Sequence, residues 1–382
     1  MGTQRHELDG DAVARLVGRG LPTTQEWSVA DLRTVLDLTR AFATLDRVGG
    51  VPELCPRELA YGLFFDRSTR TRSAWSGAAA RLGMHPVIVD GSSTQVAHGE
   101  TAVETGAMLG MNAHALGVRH DLVLGAGNAF LRDIQRGIDG YLAATGDPRR
   151  VPVVNLQCDV DHPTQTLADL AWLEACFPDG LEGRPITVSW ANSPAYAKPL
   201  SVPQGLITLL TRFGAAITLA RPEGYDLSAE ALAAAEANAA EAGGSFRVVD
   251  DMDEAFRGAH AVYPKSWGPL DLMQERVAAD AAGDPEALEA IEARALARNA
   301  THADWICDER RMALTEGGSA RYLHCLPADI GAEVTPGVMA AHATDVAREA
   351  NGKVYVIMAL LAGAKVPDLA ERLTAAWARG SR

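Results

Sequence analysis

Over the first 160 residues the apolar positions gather into short runs at 60–65, 86–89, 115–118 and 151–155, with stretches of helical spacing between them. Short apolar runs bounded by turn residues and separated by amphipathic helices are the pattern of a parallel sheet with crossover helices. The rhythm resumes after a long helical stretch that begins near Thr164, with further runs at 186–190, 217–220, 246–249, 261–263 and 322–325. The pattern therefore predicts an α/β chain with two doubly wound parallel-sheet domains, divided between residues 156 and 165. A last helical stretch, about 355–378, could pack on either domain, and periodicity does not choose between them.

Two segments break the rhythm. Residues 271–299 are rich in Ala, Glu and Arg around Gly283-Asp284-Pro285, which reads as two surface helices joined by a turn whose Asp284 caps the second. Residues 193–203 hold three prolines in eleven positions, too many for a strand or helix interior, and are expected to form a stiff loop leaving a strand end. The Ala-rich segment 229–242 reads as a plain helix.

Composition narrows the function. The 382 residues are 47% hydrophobic, enough for a core in each domain, and no apolar run reaches the length of a membrane span. The N-terminus is charged and lacks the apolar centre of a signal peptide, so a cytoplasmic location is expected. Five scattered cysteines have no metal or redox spacing, so reduced thiols and no metal site are expected. A formal net charge of −14 with dispersed Lys and Arg argues against nucleic acid.

One cluster opposes that acidic balance. Arg67, Arg70 and Arg72 fall within six positions directly after the run 60–65. Ser68 or Thr69 can cap a helix whose inward stripe is Trp75, Ala78, Ala79 and Leu82, so the arginines sit in or beside its first turn. That end already carries the positive pole of the helix dipole and unpaired N–H groups, so added cations are unfavourable unless an anion joins them. Backbone N–H groups, hydroxyls and a guanidinium fork match the oxygens of a phosphate. The alternative is that the arginines reach surface carboxylates.

The run Ser68-Thr69-Arg70-Thr71-Arg72 resembles the carbamoyl-phosphate signature of the aspartate and ornithine transcarbamylase superfamily. Further signatures follow in the family's order: Thr94–Thr101, His162-Pro163-Thr164-Gln165, Lys265-Ser266-Trp267-Gly268 and His324-Cys325-Leu326-Pro327. The matches run over about residues 30–365. The resemblance implies a carbamoyl-phosphate domain, residues 1–160, with the C-terminal segment 347–382 packing back on it, and an amino-substrate domain, residues 161–346. It also implies a homotrimer in which the loop holding Gln95 reaches a neighbouring subunit's site, and no cofactor.

Carbamoyl transfer requires a polarised carbonyl and a stabilised oxyanion. Arg119, at a strand's C-terminal end where α/β sites form, could surround the carbamoyl oxygen with His162 and Gln165, which open one helix. By resemblance these three are the catalytic residues. Carbamoyl phosphate would be bound by them together with Ser68, Thr69, Arg70, Thr71, Arg72, Gln95, Cys325, Leu326 and Lys353. Cys325 has no identifiable base beside it, which argues against a nucleophile, and the resemblance implies that it enters with Leu326 through main-chain carbonyls. Lys353 stands in Asn351-Gly352-Lys353, where better-known relatives place an arginine, and a lysine lacks the bidentate fork.

The acceptor side departs from the ornithine pattern of Asp-x-Trp followed by Ser-Met-Gly. Here the chain reads Val262-Tyr263-Pro264-Lys265-Ser266-Trp267-Gly268, with no carboxylate for a free α-amino group and a lysine of opposite charge. Free ornithine is disfavoured, and an N-acylated or carboxylate-bearing amino or ureido acid gains Lys265, Ser266 and Trp267, with Cys325 and Leu326, as binding residues. The Pro-rich loop and the Lys-Ser-Trp-Gly segment resemble the knotted branch, which includes acetylornithine and succinylornithine transcarbamylases, and so imply a trefoil knot in the second domain. Residues 91–128 and Leu156-Gln157-Cys158-Asp159 are most similar to bacterial transcarbamylases of undetermined substrate connected with purine or ureido-compound breakdown. Two rival readings are a nucleotide-binding oxidoreductase, for which Gly125-Ala126-Gly127 lacks the third glycine, and a non-catalytic protein that keeps the phosphate pocket.

Overall fold

The computed structural model describes residues 8–380, and among these nine strands form two sheets. Strands β1 (Leu59–Phe64), β2 (His85–Asp90), β3 (Ala115–His120) and β4 (Val153–Cys158) lie in the order β2-β1-β3-β4. Strands β5 (Pro185–Trp190), β6 (Ala216–Ala220), β7 (Ser245–Val249), β8 (Ala261–Lys265) and β9 (Arg321–Tyr322) lie in the order β7-β6-β5-β8-β9. Every neighbouring pair is parallel. In each sheet the chain order reverses once, between β1 and β3 and between β5 and β8. Connections leave such a point in opposite directions and open a crevice at the strands' C-terminal ends.

Helix Arg70–Arg81 follows β1 and turns Trp75, Ala78 and Ala79 onto the sheet, with Leu82 just beyond its end, all fully buried. Alanines let the helix lie close, and Trp75 satisfies its indole N–H at Ala60 O, 3.3 Å away. The glycines at 125 and 127 serve packing: Gly125 is left-handed (φ 78°), and a Cβ on Gly127 would lie 1.8 Å from His120 O. The helix they open, Ala126–Thr145, is capped by the Asp159 carboxylate, which accepts from Gly125 N and Asn128 N at 2.7 Å each. A carboxylate there occupies the place a dinucleotide phosphate would need.

Four elements differ from expectation. The strand expected over 322–325 ends at Tyr322, because the chain leaves the sheet towards Leu326, whose φ of 51° is left-handed. The Pro-rich segment is a loop only to Leu200; Ser201, Val202 and Pro203 form the first turn of helix Ser201–Arg212, where a proline's missing N–H costs nothing. The apolar run expected at 151–155 forms a strand two residues later, Val153–Cys158. The C-terminal helix is two helices: Pro336–Lys365, capped by the Thr335 side chain, and Leu369–Gly380 beyond Pro367.

Helix 336–365 packs its C-terminal half against helices Val29–Arg47, Arg70–Arg81 and Pro163–Cys176, and residues Val356–Ala364 are all buried. The pair Leu270–Ala281 and Pro285–Ala300 forms as expected, with Ala287 N donating to Asp284 Oδ1 at 3.0 Å. Among the described residues no helix is long and apolar enough to cross a membrane.

Candidate active site

A cavity of about 760 Å³ opens where the C-terminal ends of the two sheets face each other. From the first sheet, the turn after β1 brings Ser68, Thr69, Arg70 and Thr71, and the end of β3 brings Arg119 and Asp121. His162 comes from the entrance of helix 163–176, Lys265 from the end of β8, Cys325 and Leu326 from the turn after β9, and Lys353 from helix 336–365. Six cationic side chains (Arg67, Arg70, Arg119, Lys198, Lys265 and Lys353) therefore line one cavity in a chain of net charge −14.

The entrance of helix 70–81 brings Arg70 and a Ser68 cap to the cavity. The Ser68 hydroxyl accepts from Thr71 N at 3.2 Å, so Ser68 supplies the cap although the helix begins at Arg70. Arg119 donates to Ser68 Oγ at 3.4 Å and to Asp121 Oδ2 at 2.8 Å, which fixes its guanidinium over the same turn. Arg70 Nη2 crosses the cavity to donate to the Leu326 carbonyl. Burial lowers Arg70 from its ordinary value, and the facing Arg119 works in the same direction.

Lys353 Nζ lies 3.3 Å from Thr71 Oγ1 and 3.4 Å from His162 Nε2. Burial, then the charges of Arg119 and Arg70, bring it down to about 7. His162 is held well below its usual value by burial and by Lys353 and Arg119, so its ring is neutral. Its Nδ1 lies 3.4 Å from Thr164 Oγ1. Burial likewise lowers Lys265, whose Nζ donates to Ser266 O at 2.8 Å.

Carboxylates support this wall from behind. Glu333, fully buried, accepts from Lys198 Nζ, Ser266 N and Asp329 N at 2.7 Å each. Burial acts to raise Glu333, but His324, Lys198 and Lys265 outweigh it and hold it well below the ordinary carboxylate range. His324 Nδ1 accepts from Leu326 N at 2.8 Å, which shapes the left-handed turn that presents the Leu326 carbonyl. Asp169 and Glu349 form a second buried pair beneath Lys353.

Several expected site residues do not reach the cavity. Arg72 turns to Asp90, 2.6 Å away, and stacks over Phe64, since a surface carboxylate is nearer than the cavity. Gln165 is buried behind the wall and donates to Asp169 Oδ1 at 2.6 Å. Ser266 and Trp267 are fully buried, with the Trp267 indole N–H donating to Tyr225 O at 2.9 Å. Gln95 lies in the exposed turn Gln95–His98 and does not line the cavity in this chain.

The fold adds groups that sequence reasoning missed. Asp66 and Asp121 put two carboxylates on the wall, although the segment 262–268 has none. Burial raises Asp121 well above its ordinary value, against the pull of Arg119. Tyr196 and Lys198 project from the Pro-rich loop. Their position between prolines was the only available signal. Among the described residues no group of three or more His, Cys, Asp or Glu side chains is placed to hold a metal ion.

Comparison with known proteins agrees with this architecture. Residues 19–175 match the profile of the aspartate/ornithine carbamoyltransferase carbamoyl-P binding domain, and residues 200–363 that of the Asp/Orn binding domain. The chain is 45% identical over 350 residues to "Putative carbamoyltransferase YgeW" of Escherichia coli K12, covering 90% of this chain and 88% of that protein. It is 31% identical over 364 residues to the N-acetylornithine carbamoyltransferase of Xanthomonas campestris pv. campestris, covering 90% and 98%. A crystal structure of acetylornithine transcarbamylase complexed with acetylcitrulline superposes with a TM-score of 0.73 at 26% identity, covering 91% and 99%. The ornithine carbamoyltransferase of Pyrococcus furiosus gives a TM-score of 0.72 at 25% identity, covering 91% and 97%. The chain belongs to the aspartate/ornithine carbamoyltransferase family and is a carbamoyltransferase.

Proposed function

We propose that the protein moves the carbamoyl group of carbamoyl phosphate to a nitrogen of a small carboxylate-bearing acceptor, an N-acylated amino acid or a ureido acid, and releases phosphate. The observation that carries this reading is the convergence of Arg70, Arg119, Lys353 and the hydroxyls of Ser68 and Thr71 on one cavity. Ser68, Thr69, Arg70, Thr71 and Lys353 hold the phosphate, and residues 1–160 with 347–382 are the donor domain. Arg119 polarises the carbamoyl carbonyl, neutral His162 acts beside it by holding Lys353 through Nε2, and the carbonyls of Cys325 and Leu326 accept from the carbamoyl amide. Gln165 acts from behind the wall, by orienting the entrance of its helix. Residues 161–346 are the acceptor domain, and Lys265 takes a carboxylate of the acceptor.

Relatives named for N-acetylornithine, and a structural neighbour complexed with acetylcitrulline, support an acylated acceptor. A trefoil knot at the Pro-rich segment belongs to the same reading, as does a role in purine or ureido-compound breakdown. That segment is tied to the hairpin of helices 270–281 and 285–300 by Asn299 Nδ2 donating to Ser193 O and Ala197 N donating to Glu292 Oε1.

The test is phosphate release from carbamoyl phosphate with a panel of free ornithine, N-acetyl- and N-succinylornithine and ureido acids. Release that requires an acylated or ureido acceptor is expected. Tight donor binding with no acceptor-dependent release would turn the reading into a non-catalytic binding protein, and a preference for free ornithine would remove the role given to Lys265. We also propose a homotrimer in which Gln95 serves a neighbouring subunit. Mixing an inactive Arg70 variant with an inactive Gln95 variant should restore activity after subunit exchange, and no recovery with exchange demonstrated refutes a shared site.

A further inference from the structure

Lys353 differs from the other cations of the cavity in what surrounds it. Lys198 is paired with Glu333 and Asp329, and Arg119 with Asp121. Lys353 has no carboxylate within 4 Å among the described residues; its two contacts are the Thr71 hydroxyl and the His162 ring. The groups facing it from each packed element are Arg70 and Thr71 on helix 70–81, Arg119 at the end of β3, and His162, Gln165 and Asp169 at the start of helix 163–176. Cys325 faces it from the turn after β9, and Glu349 lies one turn below on its own helix. Asp169 favours the charged form of Lys353 from beyond 4 Å, but Arg119 outweighs it, and its Oδ1 accepts from Gln165.

The hydrogen-bond count is specific. If the Nδ1 proton of neutral His162 faces Thr164, then Nε2 is an acceptor, and Thr71 Oγ1 is a second. A neutral amine has two N–H bonds, which satisfy these two acceptors and leave a lone pair for the cavity that Lys353 lines. An ammonium would place a third N–H there, between two guanidinium groups.

We propose that Lys353 meets the donor as a neutral amine, takes up a proton as the phosphate dianion arrives, and returns that proton to the departing phosphate. This rests on the reading of the cavity as a carbamoyl-phosphate site. The dianion supplies the missing counter-charge, so binding and protonation support each other. In the transfer, the acceptor nitrogen bonds to the carbamoyl carbon and the carbon–oxygen bond to phosphate breaks, its electron pair staying on oxygen. The Lys353 ammonium gives one proton to the departing phosphate and the acceptor nitrogen gives another. Phosphate leaves as the monoanion, and Lys353 is a neutral amine again with a weaker hold on the product. An arginine in this place stays charged throughout the cycle.

The experiment is isothermal titration of the full-length protein with sulfate, whose charge is fixed in this pH range, in buffers of different ionisation enthalpy. Wild-type protein should take up a measurable fraction of a proton per sulfate, larger at pH 8 than at pH 6.5. Lys353→Arg should bind sulfate with uptake near zero at both pH values, and Lys353→Met should bind more than tenfold more weakly with none. In assays of donor turnover, inhibition by phosphate should weaken from pH 7 to 9 more steeply in the wild type than in the Arg variant, which isolates Lys353 from the ionisation of phosphate itself. Sulfate binding without proton uptake, or equal uptake in Lys353→Arg, would overturn the proposal and leave the donor site standing. Failure of both sulfate and carbamoyl phosphate to bind would overturn the donor site, and this proposal with it.

Discussion

Glu349 and Asp169 meet beneath Lys353 with essentially no solvent contact. Asp169 Oδ2 has no donor of its own and the two carboxyl groups act directly on each other, so a proton shared between them is expected. The pair is tied into the site at both ends. Both Glu349 oxygens lie 3.2 Å from His324 N, and Asp169 Oδ1 accepts from Gln165 Nε2 at 2.6 Å. Two charges at contact repel by about 4 kcal/mol even at an effective dielectric of about 20, enough to retain one proton near neutral pH. Burial first, and Asp169 second, raise Glu349 well above the ordinary range; burial brings Asp169 up to about 6.

Glu349→Gln keeps this geometry, since the amide N–H₂ can donate to Asp169 and the amide oxygen can accept from His324 N. It should cost less than about 1 kcal/mol at pH 5. Glu349→Ala removes the donor and the acceptor and leaves a cavity, so a loss of about 3–5 kcal/mol is expected. The pH dependence has a definite sign. An acid raised on folding binds more protons in the native than in the unfolded state, so its contribution to stability is lost as pH rises from the unfolded value, about 4.3 for Glu, towards the folded one. Glutamine has no such loss. The stability difference between variant and wild type should therefore move in the variant's favour by up to ~1.4 kcal/mol per pH unit over that window. Urea unfolding followed by tryptophan fluorescence at pH 5, 6, 7 and 8 measures it. A pH-independent difference, or a Gln variant as damaged as the Ala variant, would refute the shared proton.

Three further outcomes are expected. Arg70→Ala should weaken carbamoyl-phosphate binding more than tenfold, by about 1.5–3 kcal/mol for a charge-assisted pair, measured by equilibrium titration. Arg72→Ala should change it less than about threefold, since Arg72 is paired with Asp90 at a partly exposed site; an equal loss in both variants would return Arg72 to the phosphate. Glu333→Gln should lower stability by about 2–4 kcal/mol in thermal unfolding, because Lys198 loses its buried counter-charge, and a negligible change would show that Asp329 alone holds it.

The sheet-forming runs were legible because each strand is a short apolar segment punctuated by turn residues, and the cavity-lining turn after β1 because three arginines at a helix entrance conflict with its dipole. Helix 336–365 was not legible from its start, because residues 339–352 are mostly exposed or half-buried and show no continuous apolar stripe, with Gly352 inside them. Arg72 and Gln165 show the limit of a motif: it places a residue at a turn but does not say which side of the turn its side chain takes. The supporting carboxylates could not be read at all. Glu333 meets Lys198 across 135 positions, and Asp169 meets Glu349 from another element, contacts with no local periodicity behind them. Asp121 had a weak signal, a carboxylate two positions after Arg119 at the same strand end.

The unpaired cations of the wall connect its charge to the size of its ligands. Lys198 and Arg119 have carboxylates of their own. The exposed Arg67 aside, the remaining basic side chains of the wall, half-buried Arg70 and buried Lys265 and Lys353, have a carbonyl, a carbonyl, and a hydroxyl with a ring, and no carboxylate within 4 Å among the described residues. Burying a cation without a counter-ion is unfavourable, and burial lowers all three from their ordinary values. Such a wall is stabilised by anions that bind the native state alone. A phosphate dianion beside Arg70 and Lys353 and one carboxylate beside Lys265 would supply three negative charges for three cations. That stoichiometry favours an acceptor with a single free carboxylate near its reacting end, so a donor analogue and such an acid should raise the melting temperature by separate increments. Lys265→Met should abolish the increment from the acid while sparing that from the donor; if it spares both, the carboxylate lies elsewhere.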